Sequence, residues 1–353
     1  MKSQPITRKE RIVSLDIIRG IALFGILLIN VPAFIIMMEN SPQPDMSGIN
    51  GIIHVLIETL IEKKFFSIFS FLFGVGFYIF VSRAEERGDR YYLRYVRRLL
   101  ALLLFGIINA LFIFWGDILH VYALFGFILI PFYKLKPKTI LLSTGLIALA
   151  HWVARIVCMT LFSATAKPYA WLDFMASDSL TIIIMFLLGL YAAKSGIIRN
   201  VSQYLRAFKI TRGITFVLFI AFSGVILWIA AKPETDTTIF YKKSFISLGT
   251  IPMTLFYLST LFTLLENKAL QNILRPIGHV GQMAFTNYIG QALLGKVIIS
   301  FMALEVISPL PALIISVVIY AIEVVISTIW LRNYKQGPLE WLWRRMTYGK
   351  PTV

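Results

Sequence analysis

The chain has 353 residues, 58% hydrophobic and 15% charged, with a formal net charge of +16. Soluble domains carry about 25% charged residues, so an ordinary soluble enzyme is excluded. Apolar runs of roughly 20 residues, each able to cross about 30 Å of hydrocarbon as a helix, also exclude a β-barrel, whose spans alternate over about 10 residues.

The fold class read from these runs is all-α: a polytopic transmembrane helical bundle of about ten spans, forming a single transmembrane domain over residues 1–353. In chain order the spans are Leu15–Met38, Phe65–Ser82, Leu99–Trp115, Ile118–Tyr133, Thr139–Phe162, Leu180–Ile198, Ile214–Ala231, Phe245–Leu265, Met283–Leu304 and Leu310–Leu331. The first run lacks a small-residue cleavage site and is read as a retained helix. Between the first two spans, Ile52–Glu62 reads as a short amphipathic helix on the outer surface, with His54, Glu58 and Glu62 on one face at i, i+4, i+8.

The loops alternate in charge. Lys2, Arg8, Lys9 and Arg11 precede the first span, and Glu39 and Asp45 follow it without a base. Arg83, Arg87, Arg90, Arg94, Arg97 and Arg98 follow the second span, and the third turn, Trp115-Gly116-Asp117, is again base-free. Basic loops belong in the cytoplasm, so the alternation gives an even number of spans with both termini cytoplasmic; the mixed loop near Lys232–Lys243 breaks the pattern. The basic clusters thus serve orientation and anionic lipid rather than nucleic acid. The single cysteine, Cys158, excludes an intrachain disulfide and a multi-cysteine metal site, and four separated histidines make no zinc site, so no metal is expected.

Ionisable groups inside a membrane are costly and therefore informative. Asp16 and Arg19 open the first span at i, i+3, either as an ion pair or as an Arg facing a phosphate. Asn30, three turns on, is interhelical glue or a polar handle in a cavity. His54 is the catalytic candidate, since neutral imidazole suits general-base work. Asp117 caps the helix after a tight turn, with His120 one turn on. His151 and Arg155 lie at i, i+4 in the fifth span; Glu323 is the expected carboxylate for Arg155, with Lys296 competing for it. A structural ion pair and a ligand site both remain open there.

Four segments together carry a resemblance. They are Ser14-Leu15-Asp16-Ile17-Ile18-Arg19-Gly20 leading to Asn30; Lys64-Phe65-Phe66-Ser67-Ile68-Phe69-Ser70-Phe71-Leu72-Phe73-Gly74; Trp115-Gly116-Asp117-Ile118-Leu119 with Tyr122-Ala123-Leu124; and Thr286-Asn287-Tyr288 with Gly337-Pro338-Leu339-Glu340-Trp341-Leu342-Trp343-Arg344. The chain resembles the YeiB-like bacterial membrane family, domain of unknown function 418, over nearly its whole length. That family is distantly similar to heparan-α-glucosaminide N-acetyltransferase, a membrane enzyme that moves the acetyl group of cytosolic acetyl-CoA to a sugar amine across the membrane with a loop histidine. By position, Asn30 matches that enzyme's Asn and His54 its loop His, although the loop between them is longer here and lacks the Gly-rich stretch.

The resemblance implies an acyltransferase of the bacterial plasma membrane. Acetyl-CoA or another acyl-CoA would be co-substrate, with Asp16 and Arg19 near its phosphates. His54 would be the base and Asn30 the donor to the acyl oxygen. Expected partners are membrane lipids, a small-molecule or glycan acceptor and a second copy of the chain, with no nucleic acid. The alternative is a transporter or permease using Arg155, Lys296 and Glu323; a scaffold or sensor without turnover is a third reading.

Overall fold

The computed structural model describes residues 12–35, 42–162 and 168–349. Lys2, Arg8, Lys9, Arg11, Met38, Glu39, Lys167 and Lys350 lie outside them. Helices follow one another with no strand among the described residues. They are α1 Val13–Asn30, α2 Gly48–Leu60, α3 Lys64–Glu86, α4 Tyr91–Ile108, α5 Leu119–Gly126, α6 Leu129–Phe132, α7 Pro137–Leu161, α8 Ala170–Ala176 and α9 Asp178–Lys194. After these come α10 Leu205–Ala230, α11 Asp236–Leu264, α12 Lys268–Ile273, α13 Arg275–Gln282, α14 Ala284–Phe301, α15 Pro309–Asn333 and α16 Pro338–Tyr348. The chain is an all-α polytopic bundle.

The span count is lower than the sequence reading. Among the described residues seven helices are long and apolar enough to cross a membrane, or eight if α8 and α9, bent by 46°, form one broken span. Two expected spans drop out. Ile118–Tyr133 is interrupted: α5 has 8 residues and rises only about 12 Å at 1.5 Å per residue. Met283–Leu304 contains α14, whose 18 residues include Asn287, Gln291 and Lys296 and so dilute its apolar character. The helix expected at Ile52–Glu62 is present but ends earlier: α2 closes at Leu60, and Lys63 turns the chain with φ +66°, a left-handed conformation uncommon outside glycine. Glu62 therefore sits in the turn, off the helical face it was expected to share with His54 and Glu58.

The contacts divide the chain into two compact units. Unit 1 comprises residues 1–45, 79–130 and 267–353; unit 2 comprises 46–78 and 131–266. In unit 1, α1 packs on α13 at backbone contact. A Cβ on Gly281 would lie 1.9 Å from the Asp16 carbonyl oxygen, and one on Gly20 would lie 2.2 Å from that of Ile277. Small residues at such crossings are the usual device of membrane helices, where hydrocarbon gives no driving force between apolar faces. Leu27, Val31, Phe34, Phe114, Ile299 and Ile315 form an adjoining apolar core. The Gly337–Arg344 motif docks through Glu340, whose carboxylate accepts from the Phe285 and Thr286 amides at 2.7 and 3.1 Å and from the Thr286 hydroxyl at 2.5 Å. It thereby satisfies the free amides at the start of α14. Burial is the largest influence on Glu340 and raises its carboxyl above the usual range, against those hydrogen bonds.

In unit 2, α3 and α9 cross reciprocally. A Cβ on Gly74 would lie 2.0 Å from the Phe186 carbonyl oxygen, and one on Gly189 would lie 2.0 Å from that of Phe71. Phe73 stacks on Phe186 at 4.6 Å beside the crossing. On α10 the exposed residues include Ile214, Val217, Ile220 and Trp228, an outward apolar face suited to hydrocarbon.

Candidate functional site

The site in unit 2 begins with α2. Ile49, Ile52 and Leu56 recur at helical spacing and are exposed, leaving a different face for His54 and Glu58. His54 Nε2 lies 3.4 Å from Glu58 Oε1, one turn on, and Glu58 Oε2 pairs with Lys242 Nζ at 2.9 Å. The Glu58 side chain is 12% exposed, whereas the imidazole is 38% exposed. A fixed carboxylate thus sits against one ring nitrogen of a partly exposed imidazole, the arrangement that orients a histidine as a base.

Next to it in sequence, Lys63 binds Asp178 at 2.9 Å and donates to the Ser247 hydroxyl at 2.7 Å. Arg155 binds the same Asp178 at 2.8 Å. The expected partner, Glu323, is not the one found: Asp178, first residue of α9, supplies the carboxylate. The buried Arg155 Nε has no hydrogen-bond partner among the described residues. His151 is fully buried, with Nδ1 2.8 Å from the Met175 carbonyl and Nε2 3.3 Å from the Thr181 hydroxyl. It is a packed, satisfied histidine whose partners are not Arg155.

Unit 1 holds a second oriented histidine. α4 ends in a π-helical turn, Asn109–Ile113, a local widening frequent at functional sites. It carries Asn109, whose amide donates to Asp117 Oδ1 at 2.8 Å. Asp117 Oδ2 accepts the His120 amide and faces His120 Nδ1, both at 3.1 Å. Asp117 is therefore the expected helix cap and at the same time the middle of an Asn109–Asp117–His120 chain. Tyr288 joins it by accepting the Ile118 amide at 3.3 Å.

The other candidates in unit 1 are mostly structural. Arg19 binds Asp16 at 3.0 Å and donates to the Gly281 carbonyl at 3.3 Å, where a cation meets the C-terminal end of α13 favourably. This is the ion-pair alternative for that motif. Asn287 bridges the Val280 carbonyl and the Ser327 hydroxyl at 3.0 and 2.9 Å. Glu323 accepts from Gln291 at 2.9 Å, and Lys296 does not reach it. Asn30 ends α1, half-buried, and belongs to unit 1, whereas His54 belongs to unit 2.

Sequence reasoning missed Lys242, Lys63, Asp178, Asn109 and Gln291. Lys242 had a signal. Thr235 and Thr238 form a capping box, which starts α11 well before the expected Phe245 and carries Lys242 into the helix.

Residues 192–350, which include α11, α14 and the Glu340 cap, match the family described as protein of unknown function (DUF418). A 39.9 kDa protein from the amylase 3′ region of Bacillus acidopullulyticus is 34% identical over 98% of this chain and 96% of its own length. The chain belongs to the DUF418 family. YxaH of Bacillus subtilis (strain 168) is 32% identical, with 98% of this chain and 96% of that protein covered. YeiB of Escherichia coli (strain K12) is 24% identical with 96% of each covered. These relatives match along nearly the whole chain, across both units.

Proposed function

We propose that the protein is an acyltransferase of the bacterial plasma membrane that moves an acyl group from cytosolic acyl-CoA to an extracytoplasmic hydroxyl or amine acceptor. The observation that carries the reading is the His54–Glu58–Lys242 chain, in the loop where the resemblance implies a catalytic histidine. His54 Nδ1 takes the acceptor's proton as its oxygen or nitrogen attacks the thioester carbonyl. The carbon–sulfur bond then breaks, and the CoA thiolate leaves and takes up a proton. Glu58, anchored by Lys242, stabilises the imidazolium.

The test is thiol release from acetyl-CoA by purified protein in nanodiscs. His54→Ala should lower the rate by about 10²-fold, the usual scale for a lost acid–base group, with unchanged folded yield. Full activity in His54→Ala together with loss in His120→Ala would move the base to the other unit.

A transporter is the second reading, favoured by one feature. The break at Ser177 between α8 and α9 puts Asp178, with Lys63 and Arg155 on it, at the start of a half-helix, the kind of element that builds transporter sites.

A further inference from the structure

Lys296, expected from the sequence to share a path with Arg155 and Glu323, pairs with neither, and a groove lies beside it. The groove lies in unit 1, between the turn after α1 and the C-terminal part of α14. It has a volume of about 300 Å³ and is lined by Phe34, Ile35, Lys296, Ile299, Ser300 and Leu304, with Ala303. Its shape follows from the sequence. Gly295 lacks a side chain, so the Phe34 ring lies against α14 where a Cβ would come within 2.4 Å of it. After α14 the chain reverses through Ala303, which adopts φ +50°, and the Leu304 amide returns to the Ile299 carbonyl at 3.2 Å.

The walls are apolar except for Lys296 and Ser300. Lys296 makes no hydrogen bond or ion pair among the described residues. The carboxylate expected for it, Glu323, is engaged by Gln291 instead. Lys296 is half-buried at the edge of this groove, and a cation there favours an anionic group beside it. A groove of this size falls at the lower end of small-ligand sites, and such sites join apolar walls to few polar groups.

We infer that this groove binds a single-chain lipid with an anionic headgroup. The carboxylate or phosphate pairs with Lys296 and accepts from the Ser300 hydroxyl, and the hydrocarbon lies on Phe34, Ile35, Ile299 and Leu304. The inference does not rest on acyl transfer, since it concerns binding and needs no acyl-CoA.

The experiment measures binding of radiolabelled oleate and of lysophosphatidic acid to purified protein in dodecyl maltoside, with lysophosphatidylcholine as the zwitterionic probe. The two anionic probes distinguish a carboxylate from a phosphate headgroup. The expected result is that at least one anionic probe binds more tightly than lysophosphatidylcholine. Lys296→Gln should then weaken that probe about 10-fold or more, and Lys296→Arg should restore it. Should Lys296→Gln fail to fold, Ser300→Trp, which fills the groove from an exposed position, should abolish binding at an unchanged thermal midpoint. Wild-type affinity in Lys296→Gln or in Ser300→Trp, or equal binding of the zwitterionic probe, overturns the inference.

Discussion

At the scale of single residues, charge partnership decides most outcomes. Asp178 neutralises two cations, so its loss exposes both, whereas loss of Arg155 leaves the Lys63 pair intact. Asp178→Ala should therefore lower the thermal midpoint in detergent more than Arg155→Ala. The Arg155 loss should be about 1–2 kcal/mol, small because the Asp178 side chain is 40% exposed. A larger loss in Arg155→Ala would contradict the shared-carboxylate geometry. His54 and Glu58 were legible in the sequence because i, i+4 spacing is fixed by the helix. Lys242 was not, because the pairing that makes it important joins α2 to α11 across 184 residues of chain. Arg155 was read correctly as needing a carboxylate, but hydropathy carries no information on which helix supplies it.

At the scale of helices, close crossings and caps explain the motifs that carry the resemblance. Gly74 is where α3 meets α9, whereas a Cβ on Gly76, two residues on, would meet nothing within 4 Å. Gly74→Ala should cost about 1–3 kcal/mol through overpacking, and Gly76→Ala should be neutral or slightly stabilising through helix propensity. Equal midpoints for the two variants would sink the crossing. Glu340 makes a second prediction. Its folded carboxyl titrates above the ordinary range, so the folded state holds the proton more tightly than the unfolded chain. Its contribution is full below the unfolded carboxylate value and is lost as pH rises through the raised folded value. Melting curves across that window should show this fall in the wild type and a flatter profile in Glu340→Gln; identical pH profiles would remove Glu340 as the source. The sequence marked Gly74 and Glu340 only as members of motifs, since the partner backbone that gives each its purpose is distant in the chain.

At the scale of the whole molecule, the apolar runs made the helical class legible, and the two failures share a cause. A run of apolar residues does not reveal an interruption such as that between α5 and α6, nor whether a helix with buried amides like α14 crosses alone. Eight spans, counting the bent α8–α9 pair, keep the even number expected from the sequence. A reporter fused after Pro44 should lie outside and one after Arg90 in the cytoplasm, independently of the later count; reversal at either point would refute the orientation. The acyl-transfer claim is tested most directly in inverted membrane vesicles given radiolabelled acetyl-CoA on their outer, cytoplasmic face. The account predicts CoA thiol outside and labelled acetate or acetylated product in the lumen, with both lost in His54→Ala. Intact acetyl-CoA in the lumen without thiol release, or no transfer of label at all, would contradict it.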